Sequence, residues 1–269
     1  SLIEQMDVKS EEINEVYQKV CLNNGIELFN NKQYSQAISL FNKSLKQPLD
    51  NNLTSSAYYL KSESYYRMGN YAKAVNELNS FYSVPSNEKS EYHNLADYSM
   101  GYCLFKQKKY TLAKKYFNNS LKDVIKMDKD LKIDATTRLG DCYYMSKEYS
   151  DAIEQYSSVI ANKSTNADYC SYQKAMALGA IGKHKEKASL LSSAIKSYPN
   201  STYISSMNFE LANTYLALDE NEKALETYQD ILTKYPNSNS TKETLGKVGM
   251  LQYKNGQEDK ALKTLDKLV

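Results

Sequence analysis

The stretch KEYSDAIEQYSSVI, residues 147–160, indicates the fold because closely similar stretches occur three more times in the chain. Each copy has a tyrosine, an alanine three residues later, and a large apolar or aromatic residue four positions after the alanine. The related copies are residues 32–45 (KQYSQAISLFNKSL), 69–81 (GNYAKAVNELNSF) and 108–121 (KKYTLAKKYFNNSL). A sequence that repeats itself in this way usually has its architecture set by the repeat.

The alanine of this phrase recurs at near-equal steps through the chain of 269 residues. We call it the anchor alanine, and it falls at Ala37, Ala74, Ala113, Ala152, Ala188, Ala224 and Ala261. The steps are 36 to 39 residues long, which leaves little room for another fold between the copies. The spacing therefore predicts seven copies of one supersecondary unit.

Each copy is predicted to be two helices joined by a polar turn. In residues 205–238, apolar residues recur at helical spacing in two runs, from Phe209 to Leu216 and from Ala224 to Leu232. The polar segment LDEN lies between the two runs. The pattern indicates an all-helical chain without strands.

The four prolines mark the ends of units. They are Pro48, Pro85, Pro199 and Pro236, each 11 or 12 residues after an anchor alanine. Proline disfavours helix for the residue before it and has no amide hydrogen to donate, so a helix should end just before each one. After the last proline, Ser240 followed by Glu243 predicts a capping box that opens the next helix.

Small residues stand twelve positions before most anchors. The positions are Gly25, Ser62, Gly101, Gly140, Met176, Ala212 and Gly249, with Met176 as the exception. Glycine in a helix interior costs about 1 kcal/mol relative to alanine, so its recurrence needs a packing reason. Close approach of the first helix to the second, at the anchor alanine, supplies that reason.

This pattern resembles the tetratricopeptide repeat, with a small residue at the eighth place, an aromatic near the eleventh, alanine at the twentieth and an aromatic or leucine at the twenty-fourth. Gly140, Tyr143, Ala152 and Tyr156 carry it in one copy. The resemblance implies an all-α, right-handed α–α superhelical solenoid of about seven helix-turn-helix repeats over residues 18–269. The units are expected near 18–54, 55–93, 94–132, 133–168, 169–204, 205–241 and 242–269, the last incomplete, with residues 1–17 holding the tail of a preceding repeat and the start of the first helix.

Two departures refine the resemblance. The tryptophan usual in the first helix is absent, since the chain has no Trp, and the period exceeds the usual 34 residues. The longer period is similar to repeat proteins of the bacterial cell envelope, which implies a periplasmic or envelope location. The cytoplasm is the alternative, since widely spaced cysteines without a C-x-x-C pair favour buried reduced thiols.

Composition excludes several function classes. The formal net charge of +2 is too near balance for a nucleic-acid-binding surface, so no nucleic-acid partner is expected. No run of 18 apolar residues occurs, so direct membrane insertion is not expected. The two histidines, His93 and His184, lie in different units, and no metal-ligand spacing or phosphate loop accompanies them. We therefore expect no enzyme activity, catalytic residue, cofactor or metal.

A binding surface is the stronger expectation. The resemblance implies that the first helix of each repeat lines a concave groove through residues that recur about once per helical turn. The same spacing places Glu63 and Asp141 on the groove-lining face. The residues expected to bind a protein or peptide partner are Tyr59, Tyr66, Arg67, Tyr98, Tyr102, Phe105, Lys106 and Tyr144. An aromatic groove with a few charges suits an extended peptide or an amphipathic helix. Plain packing of these rings against neighbouring helices is the alternative interpretation.

Three functional readings stay open. The first is a non-enzymatic scaffold that holds a segment of a partner protein. The second is a regulatory or substrate-selecting arm of a larger enzyme or transcription regulator. The third is self-association through the apolar C-terminal helix, which carries Leu262, Leu265 and Leu268.

Overall fold

The computed structural model describes residues 10–122 and 128–268, and α-helix dominates both segments. The helices are α1 Glu11–Asn30, α2 Tyr34–Ser44, α3 Asn51–Arg67, α4 Tyr71–Ser83, α5 His93–Lys106, α6 Tyr110–Ser120, α7 Lys129–Met145, α8 Tyr149–Ala161, α9 Ala167–Ala180, α10 His184–Ser197, α11 Ile204–Ala217, α12 Asn221–Lys234, α13 Thr241–Lys254 and α14 Glu258–Leu265. Two short 3₁₀ turns, Asn87–Lys89 and Asp266–Leu268, complete the described structure. The predicted all-α helical-repeat solenoid class is confirmed.

The chain divides into two compact parts, Ser1–Ala135 and Thr136–Val269, and the division falls within α7. We call them the first unit and the second unit, as distinct from the predicted repeats. In the first unit, α1 to α6 pack each against the next along the chain. In the second unit, α8 to α14 do the same. The predicted repeat boundaries stay a prediction, and the part of the predicted leading tail within residues 1–9 lies outside the described residues.

Seven tight turns join the two helices of each pair. Each turn contains one residue in the left-handed region, with φ between 60° and 75°: Lys32, Gly69, Lys108, Lys147, Gly182, Asp219 and Gly256. The amide after it donates to the carbonyl five positions earlier at 2.8–2.9 Å, as in Gln33 to Leu28. This bond is the signature of a Schellman motif, which satisfies carbonyls left open at the end of a helix.

The predicted close approach of paired helices is present where glycine recurs. A Cβ atom on Gly101 would lie 2.8 Å from the ring of Phe117, and one on Gly140 would lie 2.7 Å from the ring of Tyr156. The anchor alanine of each of these pairs is fully buried beside the contact. Because real Cβ atoms do not approach other heavy atoms this closely, glycine sets the distance between the two helices.

The fifth pair, α9 and α10, follows a register one residue earlier than the anchor alanines indicate. Its turn residue Gly182 precedes Lys187 by five positions, as Lys147 precedes Ala152 in the pair before. Lys187 therefore occupies the anchor place, and the small residue across from it is Ala175, which is fully buried, instead of Met176. The expectation of Met176 and Ala188 at these places was wrong because the anchor place of this pair holds a lysine, and the alanine that the pattern selects, Ala188, is the residue after it.

The ends of the helices agree with the proline pattern but not with the predicted capping box. α2, α4, α10 and α12 each end before their proline. Ser240 does precede α13, but its side chain makes no capping bond to the helix. Its hydroxyl lies 3.1 Å from that of Ser238 instead, because Ser240 itself has nearly helical backbone angles that turn the side chain away from the amides.

The hydrophobic core is shared between neighbouring pairs. One cluster in the second unit joins Tyr228 and Ile231 of α12 to Ala212 of α11 and to Val248 and Leu251 of α13. A single pair could not bury Tyr228 and Ile231 on its own, since part of their cover comes from the next helix along the chain. The repeated phrase therefore encodes a repeated interface.

Candidate functional site

In the first unit, α3 and α5 are each the first helix of a pair. Together they carry seven of the eight predicted groove residues. Tyr59, Tyr66 and Arg67 belong to α3, whereas Tyr98, Tyr102, Phe105 and Lys106 belong to α5. The eighth, Tyr144, belongs to the second unit, where its ring meets that of Tyr149 edge-on at 5.5 Å. We call the surface between α3 and α5 the α3–α5 groove.

A pocket of about 230 Å³ opens in this groove. It is lined by Glu63, Tyr66, Arg67, Tyr98, Ser99 and Tyr102. Four of these six residues were predicted, and the pocket brings them together around a carboxylate. Glu63 shares the helical spacing of Tyr59 and Tyr66, so its place on this face could be read from the sequence. Ser99 carried no such signal.

Glu63 is the more buried of the two charged residues that line the pocket. Its Oε1 accepts a hydrogen bond from the Ser99 hydroxyl at 2.6 Å. Its Oε2 lies 3.9 Å from Nη2 of Arg67, which is too long for a hydrogen bond. Burial raises the pKa of the Glu63 carboxyl above its ordinary value, while Ser99 and Arg67 act in the opposite direction.

Tyr98 and Tyr102 form a fixed wall of the pocket. The hydroxyls of both donate to Oδ2 of Asp134, and the Tyr98 bond is 2.8 Å long. Their rings lie 5.0 Å apart and meet that of buried Phe117 edge-on. Burial raises the pKa of the Tyr98 hydroxyl, with further contributions from Tyr102 and Asp134. These two rings therefore pack intramolecularly and still face the pocket.

Tyr66 supplies the opposite wall. Its ring lies 6.2 Å from that of Tyr102 at an interplanar angle of 74°, and 5.5 Å from that of Tyr71. It is half-buried, and burial raises the pKa of its hydroxyl. The rings of Tyr66 and Tyr102 thus stand nearly at right angles, so the pocket has a corner of two aromatic faces.

The remaining predicted residues of the first unit lie apart from the pocket lining. Tyr59 is only 8% exposed, and its ring stacks on that of Tyr92 with centroids 4.6 Å apart. Phe105 is half-buried against Tyr110, at 5.5 Å between ring centroids. Lys106 is exposed at the end of α5. Tyr59 is therefore a packing residue, while Phe105 and Lys106 are accessible.

Tyrosine hydroxyls bonded to carboxylates also occur outside the groove. In the first unit, Tyr82 donates to Asp97 at 2.7 Å. In the second unit, Tyr156 donates to buried Asp141 at 2.8 Å. Asp141 accepts further bonds from Tyr169 and Arg138, so it is a structural carboxylate without a free oxygen.

In the second unit, a largely buried ion pair joins the second helix of one pair, α10, to the first helix of the next, α11. Nζ of Lys187 lies 2.6 Å from Oε2 of Glu210, with the two side chains 9% and 18% exposed. A Cβ on Gly179 would lie 3.2 Å from Cδ of Lys187. The place of Gly179 relative to its turn is aromatic in most other pairs, so the lysine side chain fills space that a ring fills elsewhere.

Clustered metal ligands and membrane-spanning helices are both absent from the described ranges, 10–122 and 128–268. Within these ranges, no group of three or more His, Cys, Asp or Glu side chains is arranged to hold a metal ion. No helix within them has the length and apolar character needed to cross a membrane. All four cysteines are buried, in agreement with the sequence analysis.

The fold is similar to several solved structures of low sequence identity. One is the C-terminal part of a tetratricopeptide repeat-containing protein from Cytophaga hutchinsonii, with 18% identity over 92% of this chain and 95% of that chain and a TM-score of 0.70. Another is a signal transduction ATPase with a tetratricopeptide repeat sensor from Pyrococcus horikoshii, with 13% identity, 94% and 43% coverage and a TM-score of 0.70. A third is the apo form of RapI, with 12% identity, 93% and 75% coverage and a TM-score of 0.66.

Sequence comparisons agree with the fold. No curated protein matches the chain. Family models described as tetratricopeptide repeat match residues 55–85, 98–167, 169–201 and 207–238. These matches cover well over half of the sequence and follow the turn and glycine pattern described above. The chain therefore belongs to the tetratricopeptide repeat family.

Proposed function

We propose that this chain is a non-enzymatic protein-interaction scaffold that holds a peptide segment or a helix of a partner protein in the α3–α5 groove. The tetratricopeptide repeat is a protein–protein interaction module, so the scaffold role follows from the family. The observation that carries the site is the pocket lined by Tyr66, Tyr98 and Tyr102 around Glu63.

The groove has the chemistry of an interaction hot spot. Aromatic residues are enriched at such sites because they bury a large area with few rotatable bonds. Here the rings are already ordered by neighbouring rings and by Asp134, so a partner would lose little free energy to side-chain ordering. Arg67 and Lys106 lie at the edge, where exposed charges mainly affect the rate of association.

The test uses a random peptide library displayed on phage and selected against the immobilised chain. Selected peptides are then measured with the parent and with a Tyr66→Ala/Phe105→Ala double variant. Tyr102 is left intact because it bonds Asp134 and packs on the core ring of Phe117. We expect the double variant to lose at least about tenfold in affinity, the size of a typical hot-spot effect.

The matched control is Tyr253→Ala, which removes an exposed ring in the second unit, 65% exposed. It should leave the affinity of the same peptides unchanged. Equal binding by the parent and the groove variant, with both folded by circular dichroism, would place the site elsewhere. Failure to select any peptide would argue against a peptide-binding scaffold.

A second candidate function is self-association through α13 and α14. Their surface holds an apolar pocket of about 510 Å³ lined in part by Met250, Tyr253, Leu262 and Leu265. Exposed apolar patches of this kind often mark interaction sites. Light scattering over a dilution series would show a dimer that loses mass on dilution, and Met250→Glu/Leu262→Glu should abolish it. A monomer at every concentration would exclude this candidate.

One structural comparison supports the alternative hypothesis that the chain is a regulatory or substrate-selecting arm of a larger protein. The Pyrococcus horikoshii ATPase carries a similar fold as the sensor part of a longer chain, of which this chain spans 43%. The full-length gene would discriminate, because an additional catalytic or regulatory domain favours an arm. The bacterial cell-envelope setting stays a prediction, and a signal peptide in the same gene would favour it.

A further inference from the structure

We propose that the pocket of the α3–α5 groove takes a basic side chain, lysine or arginine, of the bound partner segment. The inference rests on the proposed function and names the chemistry of its central contact. It stands on three features of the pocket: the angle between its aromatic walls, the open oxygen of Glu63 and the balance of charge around it.

The aromatic walls can present their faces to a cation from two directions. The Tyr66 and Tyr102 rings meet at 74°, and those of Tyr98 and Tyr102 meet at 65°. A cation is attracted to the face of an aromatic ring, and rings at right angles allow it to contact more than one face. Since the Tyr98 and Tyr102 hydroxyls donate to a carboxylate, their rings are also polarised toward greater electron density.

The floor of the pocket offers an acceptor. Ser99 fixes the Glu63 carboxylate through Oε1, which leaves Oε2 with Arg67 at 3.9 Å as its nearest cation among the described residues. An ammonium or guanidinium group in the pocket could donate to Oε2 at normal hydrogen-bond length. Such charge-assisted bonds are roughly twice as strong as neutral ones.

The carboxylates in and behind the pocket disfavour an anionic ligand. An anion entering the pocket would meet the Glu63 carboxylate directly and the Asp134 carboxylate behind Tyr98 and Tyr102. The Arg67 side chain is 55% exposed and holds Glu63 only loosely, so it can move aside into solvent. An incoming basic side chain would then take the place of Arg67 beside Glu63.

The pocket also has a suitable size and polarity. Its volume of about 230 Å³ accommodates the end of a lysine or arginine side chain but not a whole helix. The long apolar stem of either side chain could lie along Tyr66 while the charged head reaches Glu63. A neutral apolar side chain of the same length would leave the buried carboxylate desolvated without a partner, which is unfavourable.

The test titrates the chain with Nα-acetyl-lysine methylamide and Nα-acetyl-arginine methylamide, followed by NMR of labelled tyrosine rings. Nα-acetyl-norleucine methylamide is the uncharged control of similar shape. We expect at least one basic probe to bind about tenfold more tightly than the norleucine probe, as desolvated cation–π and charge-assisted contacts imply. Equal binding of the three probes, or no binding, would overturn the proposal.

Two pairs of variants locate the effect. Glu63→Gln keeps the acceptor for Ser99 but removes the charge, and it should reduce binding of the basic probe about tenfold. Glu91→Gln removes an exposed charge from the same unit and should not. Tyr66→Phe should retain binding, whereas Tyr66→Leu should weaken it. Unchanged binding by Glu63→Gln would contradict the assignment.

The outcomes separate this inference from the proposed function. Selected peptides that need Tyr66 and Phe105 but contain no basic residue would leave the scaffold in place and overturn the basic-side-chain assignment. Binding of the lysine or arginine probe, with no peptide selected in the groove, would support the pocket and overturn the peptide-binding role.

Discussion

Lys187 Nζ lies 2.6 Å from Glu210 Oε2, and this lysine stands where the other six helix pairs of the described structure have an alanine. The substitution is accommodated locally. Gly179 leaves space for the lysine stem, and Glu210 on the following first helix neutralises its charge. The fifth pair is therefore joined to the sixth by an ion pair in addition to apolar contacts.

The first prediction concerns this ion pair. Lys187→Ala should lower the free energy of unfolding by about 2 kcal/mol, because it leaves the Glu210 carboxylate largely buried without its cation. Adding Glu210→Gln should recover most of the loss. Urea unfolding followed by circular dichroism measures both effects. Lys223→Ala, which breaks the exposed pair with Glu220, is the control and should cost much less, because exposed ion pairs contribute little to stability. Equal losses for the two lysines would contradict the interpretation.

The second prediction concerns the glycines at helix contacts. Gly140→Ala should destabilise the chain by about 1–3 kcal/mol, because its Cβ would clash with the Tyr156 ring at 2.7 Å. Gly246→Ala is the matched change in α13, where no heavy atom lies within 4 Å of the added Cβ. It should stabilise by about 1 kcal/mol through helix propensity. Thermal unfolding of the two variants should therefore shift in opposite directions.

The third prediction concerns the turns between paired helices. Lys147 has φ of 63°, a conformation that a side chain disfavours, so Lys147→Gly should stabilise by about 0.5–1 kcal/mol. Gly182→Ala, at the equivalent turn with φ of 75°, should destabilise by a similar amount. Lys109→Gly is the control, since its φ of −88° needs no glycine. Stabilisation by Lys109→Gly would show that the lysine side chain, rather than the backbone angle, was responsible.

The fourth prediction concerns pH. Burial raises the pKa values of the Glu63, Asp97 and Asp141 carboxyls above their ordinary values. Between the ordinary and the raised values, the folded chain binds more protons than the unfolded chain, so these groups make stability fall as pH rises. Their contribution should therefore make the chain more stable in mild acid than at neutral pH.

Urea midpoints measured across this range would check the sign. Asp141→Asn should flatten the dependence because it removes one of the three titrations, whereas exposed Asp151→Asn should not. A pH dependence that stays the same in Asp141→Asn would show that this carboxyl is not responsible.

The fold could be predicted because it depends on local patterns. The anchor alanine, the small residue twelve positions before it and the proline after it each report one repeated contact, so the sequence shows each of them several times. The place of Lys187 could not be predicted because the next residue is an alanine. The repeat pattern selects that alanine, which places the register of this pair one residue too late. The shift becomes visible only through the turn at Gly182, whose left-handed backbone is a property of the structure.

The site could be predicted only in part, for a physical reason. The spacing of Tyr59, Glu63 and Tyr66 places all three on one face of α3. It does not show that Tyr59 is covered by Tyr92 from the following segment. Likewise, the role of Asp134 in holding Tyr98 depends on residues 36 positions apart. Which rings face the groove is decided by such tertiary contacts.

The tyrosine–carboxylate bonds have a consequence in strong base. Burial raises the pKa of the Tyr82 and Tyr156 hydroxyls, and a phenolate at either would also place a second negative charge against Asp97 or Asp141. These hydroxyls therefore resist ionisation while their helices stay packed. Exposed tyrosines should then titrate gradually, and the buried set should ionise together as the helices come apart. In a chain with 25 Tyr and no Trp, the ultraviolet absorbance of an alkaline titration would record both events. The exposed tyrosines would ionise first, and the helices would unfold second.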